Sequence, residues 1–153
     1  MRSSSSKAAD ARLADFLCFA IYSANLAYGK AYRPILEQLG LTYTQYITLV
    51  CLHKQNDQSV SELGGKLFLE SNTLTPILKK LEAMGCVKRQ RSQADERVLI
   101  VSLTDKGRKL REQARGRNLV AATGLGTQEF RQLQKAVSRL RDSLVESMQP
   151  VEE

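Results

Sequence analysis

Between residues 58 and 103 the spacing of apolar positions changes from helical to strand periodicity, which predicts two short helices followed by a two-stranded ribbon. At the start of the first helix, Ser59 and Glu62 have the spacing of a capping box, in which each side chain bonds a backbone amide of the other residue. Residues 68–70 leave room only for a tight corner. The pattern therefore indicates two helices that meet at a sharp turn and a hairpin that follows them.

The second of these helices has an apolar face and a polar face. Ser71 and Asn72 are both good N-caps, Pro76 lies early enough for its missing amide to cost little, and Gly85 predicts a left-handed end. At about 100° per residue, the apolar stripe consists of Leu74, Ile77, Leu78, Leu81 and Met84. The opposite side holds Asn72, Thr75, Pro76 and Lys79. A DNA recognition helix needs this division, although an ordinary amphipathic surface helix shows it as well.

The ribbon makes DNA binding the favoured interpretation. Residues 87–91 and 97–101 alternate as the strands of a hairpin with cations near its tip, where a wing reaches phosphates or the minor groove. Asp95 lies two residues from Arg97, so its carboxylate is placed to orient the guanidinium. A solvated hairpin with charged edges is the alternative. Two helices and a basic wing in succession predict a winged helix-turn-helix, in a chain that is mainly α-helical with a small β-wing.

Helices are expected to flank this unit on both sides. We predict a disordered polar tail over residues 1–9, one helix or two abutting helices over 10–39, the winged helix-turn-helix over 40–103, and further helices over 104–150. The last helix carries a heptad-like seam of Phe130, Leu133, Val137, Leu140, Leu144 and Met148. Packing within the chain would bury this seam, but long terminal helices on both sides of a DNA-binding unit favour a homodimer. A twofold axis sets two recognition helices about 34 Å apart on a pseudo-palindromic operator.

Composition narrows the class of protein. The chain of 153 residues is long enough for a single domain with its own core, and a net charge of +7 with a pI near 9.5 favours a polyanionic partner. Three cysteines cannot all pair within one chain, and no signal peptide or transmembrane run is recognisable, so we expect a cytoplasmic protein with free thiols and no membrane. One histidine and scattered thiols give no metal-ligand spacing. We expect no metal, no cofactor and no catalytic residue.

Cys18 lies in an apolar stretch of the N-terminal helix, where a small buried thiol is the usual interpretation. Tyr22, Tyr28, Tyr32 and Tyr43 follow it, and buried phenols seek hydrogen-bond partners such as a thiolate. Along a straight helix Cys18 and Tyr32 are about 21 Å apart, so they meet only if a partner chain runs antiparallel across the dimer axis. Neither a neighbouring cation nor the helix dipole, which has faded two turns into the predicted helix, explains a reactive thiolate here.

Several segments carry a family resemblance: Leu17-Cys18-Phe19 with Tyr22-Ser23-Ala24-Asn25, Tyr32-Arg33-Pro34, Leu41-Thr42-Tyr43-Thr44-Gln45-Tyr46, Leu74-Thr75-Pro76 with Leu78-Lys79-Lys80-Leu81-Glu82, and Asp95-Glu96-Arg97. Together they resemble the organic-hydroperoxide-sensing (OhrR-type) branch of the MarR family, whose members are dimeric winged-helix transcriptional repressors. The likeness extends from about residue 13 to residue 107. It implies that Cys18 is the peroxide-sensing thiol in a pocket with Phe19, Tyr22, Tyr32 and Tyr43, and that the last two come from the partner subunit.

The resemblance also implies a DNA surface, with Arg97 in the minor groove and the face from Ser71 to Lys79 in the major groove. We predict that this surface consists of Glu70, Ser71, Asn72, Thr73, Thr75, Pro76, Lys79, Arg89, Arg91, Asp95 and Arg97. No cysteine follows Cys86, so the chain resembles the subgroup with a single sensor cysteine. In that subgroup a low-molecular-weight thiol caps the oxidised sulfur, or the sulfur is overoxidised. Cys51 and Cys86 are more typical of core thiols than of resolving partners.

The main interpretation is a repressor that releases its operator when an organic hydroperoxide oxidises Cys18. The alternative within the same fold is a repressor released by a small aromatic or phenolic ligand, with no redox role for Cys18. A peroxidase-like enzyme would need a base or cation near the thiol, and the sequence shows neither. A purely structural dimerisation module would leave the basic wing unexplained.

Overall fold

The computed structural model describes residues 12–13, 15–115 and 119–149. The helices in these ranges are α1 (Leu17–Glu37), α2 (Tyr43–Lys54), α3 (Val60–Leu67), α4 (Ser71–Ala83), α5 (Asp105–Arg115) and α6 (Thr127–Ser147), and the strands are β1 (Gln58–Ser59), β2 (Val87–Arg91) and β3 (Leu99–Leu103). This confirms the predicted mainly α-helical architecture with a small β-wing. The chain divides into two compact units, the first holding α1 to α5 with the sheet and the second holding α6. The predicted tail over residues 1–9 lies outside the described residues, and the single-domain division of the chain stays a prediction.

The N-terminal helix begins later than its apolar pattern suggested. Arg12 and Leu13 are helical, but Asp15 is in a turn and Phe16 is extended, with φ −86° and ψ 121°. The carbonyl of Phe16 accepts the amide of Ala20 at 3.0 Å, so α1 starts at Leu17. Of the two alternatives, one helix or two abutting helices, the described residues therefore show an interruption, and it lies before Leu17. Phe16 makes no side-chain cap, so the break lacks the Ser, Thr, Asn or Asp that usually marks a helix start in a sequence.

The two short helices and their corner form as predicted, but the N-cap of the second helix lies one residue earlier than Ser71. The amide of Glu62 donates to Ser59 Oγ at 3.0 Å and the amide of Ser59 donates to Glu62 Oε2 at 2.8 Å, which confirms the capping box. Ser71, predicted as an N-cap, is already the first residue of α4. The carbonyl of Glu70 starts the helix by accepting the amide of Leu74 at 3.0 Å. Glu70 is therefore the cap position, although its side chain makes no capping bond.

The sheet has three antiparallel strands in the order β1-β3-β2 rather than the two that were predicted. In β1, Gln58 pairs with Val101 and Ser59 with Ile100. Two residues are too few to show strand periodicity, so β1 could not be predicted from the pattern. The wing hairpin of β2 and β3 is held by β1, which pairs with the middle of β3, as well as by its own ladder, in which Arg89 lies opposite Val101.

The core of the first unit lies where α1 to α4 meet the sheet. Its fully buried members include Leu36 of α1, Leu49 and Leu52 of α2, Leu63 of α3, Leu74, Leu78 and Leu81 of α4, and Val87 and Val101 of the sheet. Cys86 is buried with them, and Cys51 is half-buried beside them, as expected for core thiols. Among the described residues, no helix has the length and apolar character that crossing a membrane requires.

The second unit contains α6, which begins after a left-handed Gly124 with φ +69°. Gly126 is the cap residue, and its amide donates to Glu129 Oε2 at 2.8 Å. Along α6 and at its end, Leu133, Val137, Leu144 and Met148 are each more than half exposed. The apolar seam that the sequence showed is therefore left open to solvent in the single chain.

Gly107 fixes the position at which α5 leaves the sheet. Thr104 caps this helix by accepting the Gly107 amide at 3.1 Å, while the Thr104 amide donates to the carbonyl of Cys86 at 3.1 Å. A Cβ atom at position 107 would lie 2.2 Å from that same carbonyl oxygen and 2.8 Å from a methyl group of Leu103. Only glycine allows the helix to approach the backbone so closely.

We expect Gly107→Ala to lower the free energy of unfolding by about 1–3 kcal/mol, because the backbone at Cys86 must move to admit a methyl group. Gly65→Ala is the matched control. A Cβ there has nothing within 4 Å, and the better helix propensity should add up to about 1 kcal/mol. Urea unfolding followed by circular dichroism measures both. Equal stability of the two variants would contradict the close approach.

Candidate functional site

The apolar stripe of α4 is buried and its polar face is open, so the helix presents one defined surface. Leu74, Leu78 and Leu81 are at most 1% exposed, whereas the exposed residues on the other side are Glu70, Ser71, Asn72, Thr73, Pro76 and Lys79. Thr75 is half-buried, and its hydroxyl donates to the carbonyl of Ser71 at 2.7 Å. The hydroxyl proton of Thr75 is therefore engaged within the helix. This face has the size and chemistry to enter a DNA major groove.

The tip of the wing holds an arginine in a fixed direction. Arg97 donates to Asp95 through its backbone amide at 3.0 Å and through its guanidinium at 3.0 and 2.9 Å, and the Arg97 side chain is 90% exposed. The bonds from Arg97 hold the pKa of the Asp95 carboxyl below its usual range. Arg91 donates to the carbonyl of Glu96 at 3.0 Å and thereby shapes the loop. The expected orientation of Arg97 by Asp95 is thus present in the geometry.

Arg89 makes a contact that the sequence interpretation did not include. Its guanidinium donates to Glu82 Oε2 at 3.0 and 2.6 Å, and its backbone amide donates to Glu82 Oε1 at 3.2 Å. Only 18% of the Arg89 side chain is exposed. Glu82 lies in the last part of α4 and Arg89 in β2, so this pair ties the helix to the wing. Arg89 was predicted as a DNA contact, whereas the structure gives its charge an internal partner.

Cys18 is exposed and lies at the second position of α1. This corrects the expectation of a small buried thiol two turns into a helix. The first backbone amides of a helix have no intrahelical acceptor, and this end of the helix favours a negative charge. Leu17 and Tyr22 beside it are 62% and 63% exposed, and Phe19 is half-buried. The thiol therefore has open space and a favourable helix end within its own chain.

Four tyrosines form a cluster between α1 and α2. The ring centroid of Tyr32 lies 5.4 Å from that of Tyr28 and 5.5 Å from those of Tyr43 and Tyr46. Burial raises the pKa of the Tyr32 hydroxyl well above its usual range, and the neighbouring Tyr28 raises it further. Burial also raises the pKa of Tyr43. These phenols therefore stay protonated and can donate hydrogen bonds to an anion.

The structure divides the predicted sensor pocket into two parts. Cys18, Phe19 and Tyr22 lie near the start of α1, whereas Tyr32 and Tyr43 lie in the tyrosine cluster. Fourteen helical residues separate Cys18 from Tyr32, or about 21 Å along the axis, so one chain does not bring them together. An open cleft of about 520 Å³ lies next to the cluster, with Leu26, Gly29 and Tyr43 in its lining.

Comparison with known proteins identifies the family. The model of the transcriptional regulator SarA/Rot family matches residues 30–114. The chain is 45% identical over 130 residues to the HTH-type transcriptional regulator TtmR of Methylorubrum extorquens, which covers 84% of this chain and 67% of that protein. It is 36% identical over 138 residues to the organic hydroperoxide resistance transcriptional regulator of Bacillus subtilis, which covers 87% of this chain and 92% of that protein.

This chain is also similar to solved structures of regulators. AbfR of Staphylococcus epidermidis matches with a TM-score of 0.76 and 33% identity, over 95% of this chain and 100% of that one. AbfR is also known reduced and bound to DNA, with a TM-score of 0.74 and 36% identity over 94% of this chain and 99% of that one. Further structures show it overoxidised and bound to DNA, and with a disulfide formed.

The chain belongs to the MarR family of transcriptional regulators. This confirms the family that the motifs around Cys18, in α4 and in the wing indicated. It also confirms the predicted winged helix-turn-helix fold, because the matching MarR-family structures share it over most of the chain.

Three residues that make these contacts were not among the predicted site residues, namely Tyr28, Tyr46 and Glu82. Tyr28 lies four residues before Tyr32, a spacing that places both on one helix face and could have indicated their contact. Tyr46 lies three residues after Tyr43 on α2 and has the same relation to it. Glu82 gave no such signal, because its contact with Arg89 depends on the turn between α4 and β2.

We expect Glu82→Gln to destabilise the first unit in a pH-dependent way. The bonds from Arg89 lower the pKa of Glu82 from its ordinary 4.5. A carboxyl with a lowered folded-state pKa stabilises the protein above its unfolded-state pKa and loses that effect as the pH falls through the folded-state value. The difference in unfolding free energy between wild type and Glu82→Gln should therefore be constant near neutral pH, begin to fall at about pH 4.5, and disappear only at a lower pH, below the folded-state pKa of Glu82.

Urea titrations at several pH values measure this difference. Glu37→Gln is the control, because the Arg33–Glu37 pair is exposed on both sides and such pairs contribute little. A Glu82→Gln effect that does not change with pH would show that the ion pair is not its source.

Proposed function

We propose that this protein is a homodimeric transcriptional repressor that binds double-stranded operator DNA and releases it when an organic hydroperoxide oxidises Cys18. The observation that carries the proposal is an exposed thiol at the start of α1, in a chain related along most of its length to a regulator of organic hydroperoxide resistance. As a regulator it has no turnover reaction of its own, and the cytoplasm is the compartment in which we place it. We treat residues 1–153 as one MarR-type domain, with residues 10–39 and 104–150 in the dimer interface.

The proposed DNA binding rests on two surfaces of the first unit. The open face of α4 offers short polar side chains and Lys79 to the bases and phosphates of the major groove. Arg97 at the wing tip is exposed and pre-oriented by Asp95, as a minor-groove contact requires. Arg91 adds charge near the phosphates, and Arg89 acts indirectly by fixing the wing to α4. The structure of reduced AbfR on DNA supports this mode of action.

The proposed dimerisation rests on apolar side chains that are exposed to solvent in the single chain. In the first unit these are Phe16, Leu17, Ile21 and Leu26, and in the second Leu133, Val137, Leu144 and Met148, each more than 40% exposed. Their burial against a second copy would supply the main driving force for association. An antiparallel pairing of α1 helices would also bring Cys18 of one chain to the tyrosine cluster of the other.

The proposed sensing chemistry has two steps. The Cys18 thiolate attacks the terminal peroxide oxygen, the O–O bond breaks, and the products are a sulfenic acid and the corresponding alcohol. A low-molecular-weight thiol then attacks the sulfenic sulfur, which gives a mixed disulfide and water. The amides of the first turn of α1 and the protonated phenols of the partner would stabilise the starting thiolate.

We assign DNA release to the mixed disulfide rather than to oxygen addition alone. Overoxidised AbfR is known as a DNA complex, so overoxidation and bound DNA are compatible in that relative. A thiol adduct is larger, and overpacking at a filled interface costs about 1–3 kcal/mol. A coupling free energy of about 1–3 kcal/mol changes affinity by about 5- to 150-fold. Cys86 is buried in the core, so it is poorly placed to replace the external thiol.

A second candidate is release by a small aromatic ligand. The open cleft of about 520 Å³ beside Tyr43 has the volume for such a molecule. In that case aromatic acids would release DNA and Cys18 would have no part in the response. In the dimer that we propose, the partner chain would instead occupy this region.

We expect Cys18→Ser to bind duplex DNA with wild-type affinity and to stay bound when cumene hydroperoxide and a low-molecular-weight thiol are added. Cys51→Ser is the matched control and should respond as the wild type does. A gel-shift assay with the duplex that the protein selects from a random library measures both. Release of Cys18→Ser by the peroxide would end the redox proposal, and release of all three proteins by aromatic acids alone would favour the second candidate.

We expect Arg97→Ala to weaken DNA binding and to reduce the slope of log affinity against log salt concentration by about 1, because one phosphate or minor-groove cation is lost. Asp95→Asn should have a smaller effect in the same direction, since it frees the guanidinium without removing it. Arg141→Ala on α6 removes an equal charge, also beside a carboxylate, and should leave affinity unchanged. Equal losses for Arg97→Ala and Arg141→Ala would argue against a wing contact.

A further inference from the structure

Phe68 has a backbone conformation that its side chain does not favour. Its φ of 56° and ψ of 38° place it in the left-handed region. The amide of Leu69 donates to the carbonyl of Gly64 at 3.0 Å, and the amide of Phe68 donates to the carbonyl of Gly65 at 3.4 Å. These two bonds form a Schellman motif that ends α3, and its left-handed position is normally glycine. A bulky residue there is a genuine outlier.

Among the described residues, the Phe68 ring is not part of the hydrophobic core. Leu67 and Leu69 on either side pack against the core, whereas the Phe68 side chain is 63% exposed. A single exposed apolar residue is common and needs no explanation. An exposed aromatic ring in a conformation that favours glycine is different, because both its exposure and its backbone oppose it. Such outliers indicate a function that needs the side chain.

The position of Phe68 indicates which partner covers the ring. It lies three residues before Ser71, the first residue of α4, so the two Cα atoms are within about 11 Å. Glu70, Ser71 and Asn72 next to it are exposed. A recognition helix enters the major groove with its N-terminal residues first. The corner that precedes it must then lie at the edge of the groove, against sugars and the outermost bases.

We propose that the Phe68 ring contacts the apolar surface of the bound duplex at the edge of the major groove, either a thymine methyl group or a deoxyribose. Both offer a small apolar surface, and contact of an apolar side chain with the thymine methyl is a known mode of base recognition. This inference rests on the proposed DNA binding. It adds a residue outside the polar face of α4 to the DNA surface, and it explains why the corner does not carry glycine.

The test separates the backbone from the ring. Phe68→Gly removes the ring and the strain, Phe68→Ala removes the ring only, and Phe68→Tyr keeps the ring. In thermal unfolding, Phe68→Gly should have a melting temperature about 2–4 °C above that of Phe68→Ala, because glycine accepts the left-handed conformation. In fluorescence anisotropy with the duplex selected from a random library, Phe68→Gly and Phe68→Ala should both bind about 5-fold or more weakly than wild type. Phe68→Tyr should bind within about twofold of wild type.

A second duplex with deoxyuridine in place of thymidine identifies the contact. If the ring touches a thymine methyl, the wild type binds the deoxyuridine duplex more weakly than the selected duplex. Phe68→Gly then binds both duplexes with the same affinity. If it touches deoxyribose, both proteins are affected equally by the replacement while the gap between them stays. A folded Phe68→Gly variant that binds the selected duplex as tightly as wild type would overturn the inference and leave the proposed function intact. A wild-type protein that selects no duplex would instead overturn the proposed function.

Discussion

Burial of one face of α4 is the constraint on which the rest of the DNA surface depends. Leu74, Leu78 and Leu81 are almost fully inside the core, so the opposite face of the helix must point outward. The same helix carries Glu82, which accepts three hydrogen bonds from Arg89 of β2. One packing contact and one ion pair therefore set the direction of both the helix and the wing. We therefore expect α4 and the wing to move together, so a change elsewhere in the protein can shift the whole DNA-binding surface.

The same core offers a physical route from the thiol to that surface. Cys18 lies on α1, and Leu36 near the end of α1 is buried among leucines of α2, α3 and α4. Close-packed interiors transmit displacement because they leave no free volume to absorb it. In the dimer that we propose, Cys18 packs against the partner chain, so a larger group on its sulfur would displace α1 and shift its other end, where α1 joins the DNA-binding unit. The tyrosine cluster lies on this path, since Tyr32 of α1 contacts Tyr43 and Tyr46 of α2.

The parts of the fold that were predictable from sequence are those with short-range signals. The capping box at Ser59 and Glu62, the stripe of α4 and the pairing of Asp95 with Arg97 all involve residues a few positions apart. The break before Leu17 was missed because Phe16 provides no capping side chain, and β1 was missed because two residues show no period. Arg89 was assigned to DNA because sequence shows a charge but not the partner that folding brings to it. The correction at α1 matters most, since it moves Cys18 to a helix end that favours an anion.

The most direct test of the central claim follows oxidation and DNA release in the same sample. A complex of the reduced protein with its fluorescently labelled selected duplex is titrated with cumene hydroperoxide in the presence of a low-molecular-weight thiol, and each point is read by anisotropy and by intact mass. We expect that the released fraction rises with the fraction of chains carrying one thiol adduct, which peptide mapping places on Cys18. Complete modification of Cys18 with the duplex still bound, or release that precedes any modification, would contradict it.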